Sequence, residues 1–179
     1  MHGIIHHELQ KFVLAHHGVA TWRRLLESAG LANKVYLVSQ NYPDEDAVAL
    51  VQAASELTGS PAAAILEQFG EFIVPDLLSL YKPLVKPSWR TLDFLENTEG
   101  TIHHVVRMRQ QSAAPPALQC VRDGPRELTI IYTSARKMCA VAKGITRGVA
   151  KHYGEAIQIS EPACMHAGEP ACRILVRLA

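Results

Sequence analysis

Apolar residues recur at helical spacing through the first part of the chain and at alternate positions through much of the last part. Ile4, Ile5, Leu9, Phe12, Val13 and Leu14 give residues 3–16 the rhythm of an amphipathic helix that stops near Gly18. Thr21 predicts an N-cap and Gly30 a stop for a second helix, with Trp22, Leu25 and Leu26 inside. Residues 31–43 carry no period. Val48, Leu50, Val51, Ala54 and Leu57 predict a helix over 44–57, ended by Thr58-Gly59. Ser60-Pro61 joins a capping residue to a proline at the first helical position, so another helix follows through Ile65, Leu66 and Phe69 to about Ile73. Pro75 marks a kink or a fresh start. Short helices are expected over 77–81 and 91–96, with a connector over 82–89. A longer helix is expected over 98–109, carrying Ile102, His103, Val105, Val106 and Met108.

The texture changes at Ser112-Ala113-Ala114-Pro115-Pro116, where two prolines end any helix. Strands are expected over 118–122 and 127–133, joined by a hairpin at Asp123-Gly124. Met138, Val141, Ala142, Ile145, Val149 and Ala150 form the stripe of a helix over 134–153. Further strands follow over 156–160 and 171–178. The fold class is α+β: a helical lobe over 1–60 and a lobe over 61–179 with a four-stranded antiparallel sheet and one long helix.

Composition narrows the function classes. The 179 residues suit one domain with two lobes, and 48% hydrophobic content suits a globular core. A net charge of +1 argues against a nucleic-acid binder. No apolar run is long enough to cross a membrane, and the N-terminus lacks the pattern of a signal peptide. A cytoplasmic protein is expected. Cys120, Cys139, Cys164 and Cys172 should then be thiols or metal ligands.

The densest chemistry lies in Tyr132-x-Ser134-x-Arg136. Alternate side chains of an extended segment share a face, so two hydroxyls and a guanidinium converge on a site suited to a carboxylate or phosphate. The plain structural alternative is a strand tyrosine, a helix-capping Ser134 and a solvated Arg136.

Met1-His2-Gly3-Ile4-Ile5, Tyr42-Pro43-Asp44-Glu45, Phe69-Gly70-Glu71-Phe72, Ile102-His103, Pro115-Pro116 and the Tyr-x-Ser-x-Arg triplet occur in this order. Together they resemble the H-NOX domains, haem nitric-oxide/oxygen-binding sensors related to the haem domain of soluble guanylate cyclase. The likeness covers essentially the whole chain. It implies a haem b held between the lobes, its propionates clamped by Tyr132, Ser134 and Arg136. It implies His103 as the axial ligand, with Pro116 or Pro115 pressing on the macrocycle. The neighbouring His104 is the rival ligand, pointing about 100° away on a helix.

The resemblance also assigns a distal pocket to Ile5, Leu9, Ile73 and Val141. Val141 stands where oxygen-holding relatives carry a tyrosine. Bound oxygen gains from a donor far more than nitric oxide does, so the chain is expected to sense nitric oxide, bind carbon monoxide and resist oxygen. Some bacterial relatives bind zinc through three cysteines and a histidine. Here Cys139, Cys164 and Cys172 are present, Glu161 replaces the histidine, and His166 is the other candidate for fourth ligand. Free packed thiols or a redox pair are the alternatives. The resemblance implies a sensor, not an enzyme, that signals to a histidine kinase, a cyclic-di-GMP enzyme or a chemotaxis receptor. A haem-free regulatory module of the vinyl-reductase type is the runner-up. A haem peroxidase would need distal acid–base groups, for which only His6 and His7 offer themselves.

Overall fold

The computed structural model describes residues 1–109 and 113–179; Ser112, at the head of the predicted helix-breaking tract, lies outside them. Its helices are α1 (Gly3–Ser28), α2 (Asp44–Thr58), α3 (Ala62–Phe72), α4 (Val74–Tyr81), α5 (Thr91–Asn97), α6 (His104–Arg109) and α7 (Cys139–His152). Its strands are β1 (Ala117–Gly124), β2 (Glu127–Thr133), β3 (Ile157–Ala163) and β4 (Cys172–Leu178). Residue contacts divide the chain into two compact units, Met1–Phe69 and Gly70–Ala179.

In the first unit, α1 is one kinked helix where two were expected. Gly18 leaves the helical region at φ 77°, ψ 173°, which glycine tolerates. Thr21 does not cap a new start. Its hydroxyl donates back to the His17 carbonyl at 2.7 Å, satisfying a group at the kink. α2 begins with three acidic residues facing its positive end and ends on Gly59 at φ 69°. Leu9, Phe12, Trp22, Leu25, Leu50 and Phe69 are among the buried core residues. The unpatterned 31–43 segment is organised by Tyr42, whose hydroxyl accepts the Leu37 N–H (2.6 Å) and donates to the Val35 carbonyl (3.1 Å).

The second unit is built on an antiparallel sheet of order β1-β2-β4-β3. In the two central strands, alternate residues are buried: Leu128, Ile130 and Tyr132 of β2, and Cys172, Ile174 and Val176 of β4. Period two puts every second side chain on one face, and this face packs against Leu92 and Leu95 of α5. Val74, Trp89, Phe94, Ile102 and Val149 form a second core cluster.

Later elements also differ from the sequence expectation: the fourth helix begins at Val74 and not at residue 77. The single helix over 98–109 is a π-helical turn over Glu99–His103 followed by α6. The last helix begins at Cys139 and not at residue 134, because the chain makes a turn first. β3 runs on to Ala163, past a register shift between Ser160 and Ala163.

α7 meets its neighbours backbone to backbone. A β-carbon at Gly148 would lie 2.5 Å from Val74 Cγ2 and 2.9 Å from the Glu71 carbonyl. Gly148→Ala is therefore expected to cost about 1–3 kcal/mol in denaturant unfolding. Gly100, with open space around it, is the control: Ala there should be neutral or stabilising by up to about 1 kcal/mol. Equal midpoints for the two variants would refute the close-packing account.

His6 is wholly buried in the first unit, stacked on Tyr36 at 4.5 Å, and neither ring nitrogen has a hydrogen-bond partner among the described residues. The His2 carbonyl lies near the ring without the geometry of a hydrogen bond. Burial lowers the imidazole pKa below its ordinary 6.5, and the nearby Asp46 only partly opposes this. The unfolded chain therefore binds the extra proton, and stability falls as pH drops below about 6.5. Unfolding midpoints at about pH 7.5 and about pH 5.5 should differ less in His6→Phe than in the wild type; an unchanged difference removes His6 as the cause.

Candidate functional site

The first group of site residues is built on the π-helical turn. His103 N–H donates to the Thr98 carbonyl at 3.0 Å, one residue further back than in an α-helix. Such insertions are rare and concentrate at functional sites. Buried Ile102 anchors the turn in the apolar cluster, leaving His103 half-buried and His104 exposed. That favours His103 over its rival as the residue held for a purpose.

His103 Nδ1 lies 2.8 Å from Glu99 Oε2. A carboxylate only accepts, so Nδ1 carries the proton and Nε2 is left for a metal. Burial pushes the His103 pKa down; the hydrogen bond and charge of Glu99, and the Pro116 carbonyl near the ring, oppose this without cancelling it. The ring is therefore a neutral imidazole. Burial alone would raise the Glu99 carboxyl, but donors from His103, Arg107 (2.5 Å) and the Leu118 N–H (3.1 Å) bring it below the usual range.

The second group is the triplet. Tyr132 ends the buried row of β2, opposite Leu118 and Cys172. Burial raises the Tyr132 phenol, and hydrogen bonds to Ser134 and the Met138 backbone pull the other way, so the two hydroxyls meet. Ser134 does not cap α7. Its hydroxyl accepts the Arg136 N–H at 3.2 Å and its carbonyl accepts the Lys137 N–H at 3.0 Å, which closes a turn. The Arg136 guanidinium donates to the Ala114 carbonyl. The three residues thus sit in one turn, an assembly of donors with a net positive charge.

The residues assigned to the distal side lie in both units. Ile5 and Leu9 are on α1. Leu9 lines a cavity of about 140 Å³ in the first unit, together with Phe12, Val13, Trp22, Leu50 and Ile65. Ile73, 1% exposed, follows α3, and Val141 is in the first turn of α7. None of these four side chains has a hydrogen-bond donor.

The third group is a cluster of thiols. The ligand atoms of Cys139, Glu161, Cys164 and Cys172 all lie within 4.8 Å of one another. Cys164 Sγ is 3.8 Å from both Cys139 Sγ and Cys172 Sγ, far too long for a disulfide. Burial pushes the Cys139 and Cys172 thiols up. Glu161 is held low despite burial, chiefly by Lys143, which lies 2.9 Å away. His166 is not in this group: its Nε2 lies 2.7 Å from the Lys137 carbonyl oxygen. Cys120 stands apart in β1, its thiol pushed up to about 11 by burial and then by Glu96 and Glu99.

Sequence reasoning missed Glu99 and Lys143. Glu99 was legible in principle, standing four residues before His103. Lys143 reaches Glu161 only through the packing of α7 on β3.

The haem-NO-binding family model matches residues 2–161. The chain is 27% identical over 158 residues to soluble guanylate cyclase gcy-34 of Caenorhabditis elegans, a match covering 84% of the chain and 23% of that protein. It is 24% identical over 138 residues to soluble guanylate cyclase 89Da of Drosophila melanogaster, covering 76% and 20%. The chain therefore spans under a quarter of the length of these curated relatives. Among solved structures, an H-NOX protein from S. oneidensis in the Fe(II)NO ligation state superposes with a TM-score of 0.93 at 26% identity, covering 100% and 99% of the two chains. An Fe(II) unliganded H-NOX protein from K. algicida gives 0.90 at 20% identity, covering 100% and 97%, which speaks for the fold alone.

Proposed function

The chain belongs to the haem-NO-binding family, and from that premise we propose that it is a haem-based sensor of nitric oxide and carbon monoxide. The observation that carries the reading is His103: a neutral, half-buried imidazole with Nδ1 committed to Glu99 and Nε2 left over. The turn of Tyr132, Ser134 and Arg136 suits two propionates, because it offers two hydroxyls and a guanidinium. When bound, haem b would supply a ferrous iron that takes up diatomic gases. The chain's own part would be to supply an iron ligand from His103, hold the propionates through Tyr132, Ser134 and Arg136, and line the gas site with the apolar side chains of Ile5, Leu9, Ile73 and Val141. Without a donor on that side, oxygen is disfavoured relative to nitric oxide. Pro116, whose carbonyl acts on the His103 ring, would bear on the macrocycle from the ligand side.

No residue is assigned a catalytic role. The sensor's effect is to favour one arrangement of the chain over another, which a partner reads as a change in affinity. A histidine kinase, a cyclic-di-GMP enzyme or a chemotaxis receptor fits that role. No helix among the described residues is long and apolar enough to cross a membrane.

A zinc ion at Cys139, Cys164, Cys172 and Glu161 is the second part of the proposal. Tetrahedral zinc with Zn–S of about 2.3 Å requires sulfurs about 3.8 Å apart. Cys164 Sγ lies 3.8 Å from each of the other two sulfurs. Glu161 is the fourth ligand, in place of His166, and Lys143 offsets one charge of a site with three thiolates and a carboxylate.

The haem reading is tested by the absorption spectrum of the reduced protein and of His103→Gly. The wild type should show a Soret band that moves with nitric oxide and carbon monoxide but not with air. His103→Gly should lose its ferrous ligation and regain it with added imidazole. A wild-type protein without such a band, or a variant that needs no imidazole, defeats the reading. The zinc reading is tested by metal analysis of protein made with zinc. One zinc per chain is expected, lost in Cys164→Ser; zinc-free wild type with all four thiols open to titration defeats it.

A further inference from the structure

The Glu99 carboxylate receives three hydrogen bonds from three different elements. Oε2 accepts from His103 Nδ1 at 2.8 Å and from the Leu118 N–H at 3.1 Å, and Oε1 accepts from Arg107 at 2.5 Å. Glu99 and His103 are the first and last residues of the π-helical turn, so the irregular backbone and the pair coincide. Leu118 is the β1 residue directly opposite Tyr132. One carboxylate therefore joins the imidazole, the following helix and the strand beside the hydroxyl–guanidinium turn.

We propose that Glu99 is the positioning residue of the sensor: it fixes the ring of His103, sets how strongly Nε2 donates, and ties that ring to β1. The inference rests on His103 being the axial ligand. A ligating imidazole whose other N–H is given to a carboxylate is a stronger donor and is locked in orientation, and losing such a partner costs about 10–100-fold in metal affinity or activity. Arg107 works in the opposite direction. It draws on the same carboxylate, so less of the negative charge is felt by the imidazole. The strength of the axial bond is then a balance between Glu99 and Arg107. That balance can be altered without touching haem, gas pocket or clamp. The Leu118 N–H contact makes the link mechanical as well: the carboxylate cannot follow the ring without disturbing the end of β1.

The test compares the iron–histidine stretching band of the ferrous protein in Glu99→Gln, Arg107→Gln and wild type by resonance Raman. Gln keeps an acceptor for His103 and Leu118 but removes the charge, so the variant should fold. Glu99→Gln should move the band to lower wavenumber and speed haem loss by about 10-fold or more. Arg107→Gln should move the band to higher wavenumber. Hydrogen exchange at Leu118 in Glu99→Ala reads the mechanical link and should rise. A band that ignores both charge changes, even if Leu118 exchange rises, reduces Glu99 to a structural residue and overturns the inference alone. A band that persists in His103→Gly without imidazole overturns the inference and the ligand assignment together.

Discussion

At Gly70 and Gly148 there is no room for a β-carbon. One at Gly70 would sit 2.4 Å from the Val141 carbonyl, and one at Gly148 would strike Val74 and the Glu71 carbonyl. These two approaches bring the backbone of α7 against the end of α3 and the start of α4. Interiors are packed too tightly for such a contact to slide freely. Much of the second unit's chemistry is strung along the helix that this contact fixes. The Tyr132–Arg136 turn leads into it, Cys139 begins it, Val141 stands in its first turn, and Lys143 reaches from it to Glu161. Two hydrogen atoms in place of two methyl groups thus let the helix that carries these residues lie this close to α3 and α4.

The second unit uses carboxylates in the same way twice. Glu99 stands between a neutral imidazole and Arg107; Glu161 stands between thiols and Lys143. In each case burial alone would raise the carboxyl, and donors hold it ionised. A partly buried charge without partners is costly, so each carboxylate is retained together with its cation. The cation leaves some negative charge for the group that matters. At Glu99 that charge faces the His103 imidazole, and at Glu161 it faces the thiols of Cys139 and Cys164.

What the sequence revealed depended on whether the signal was local. β2 was read at its observed bounds, 127–133, because alternation and a hairpin turn are local. The α2 stop at Gly59 and the start after Ser60-Pro61 were legible for the same reason. The Tyr132, Ser134, Arg136 cluster was legible as alternation, although Ser134 and Arg136 come together through a turn and not along a strand. Other features were not visible. Hydrophobic period averages over several turns, so it could not show a single inserted residue at Glu99–His103 or a kink at Gly18 that leaves the helix otherwise continuous. Spacing offered both Glu161 and His166 beside the cysteines; only the path of β3 and the following loop shows that the Glu161 carboxylate lies with the three sulfurs.

His166 still has a clear place. Its ring nitrogen meets the Lys137 carbonyl oxygen at 2.7 Å, and Lys137 Nζ donates to the Met165 carbonyl at 3.3 Å. Lys137 is the one non-glycine residue with positive φ among the described residues, at 50°. A long side chain in that conformation costs free energy and persists only where its surroundings enforce it. The two contacts across to the Met165–Ala167 turn are what enforce it here. The turn that presents Arg136 is therefore braced by the loop that carries Cys164. The strain at Lys137 is the consequence of reversing the chain between Arg136 and Cys139, so that one short segment can serve the donor turn on one side and the thiols on the other.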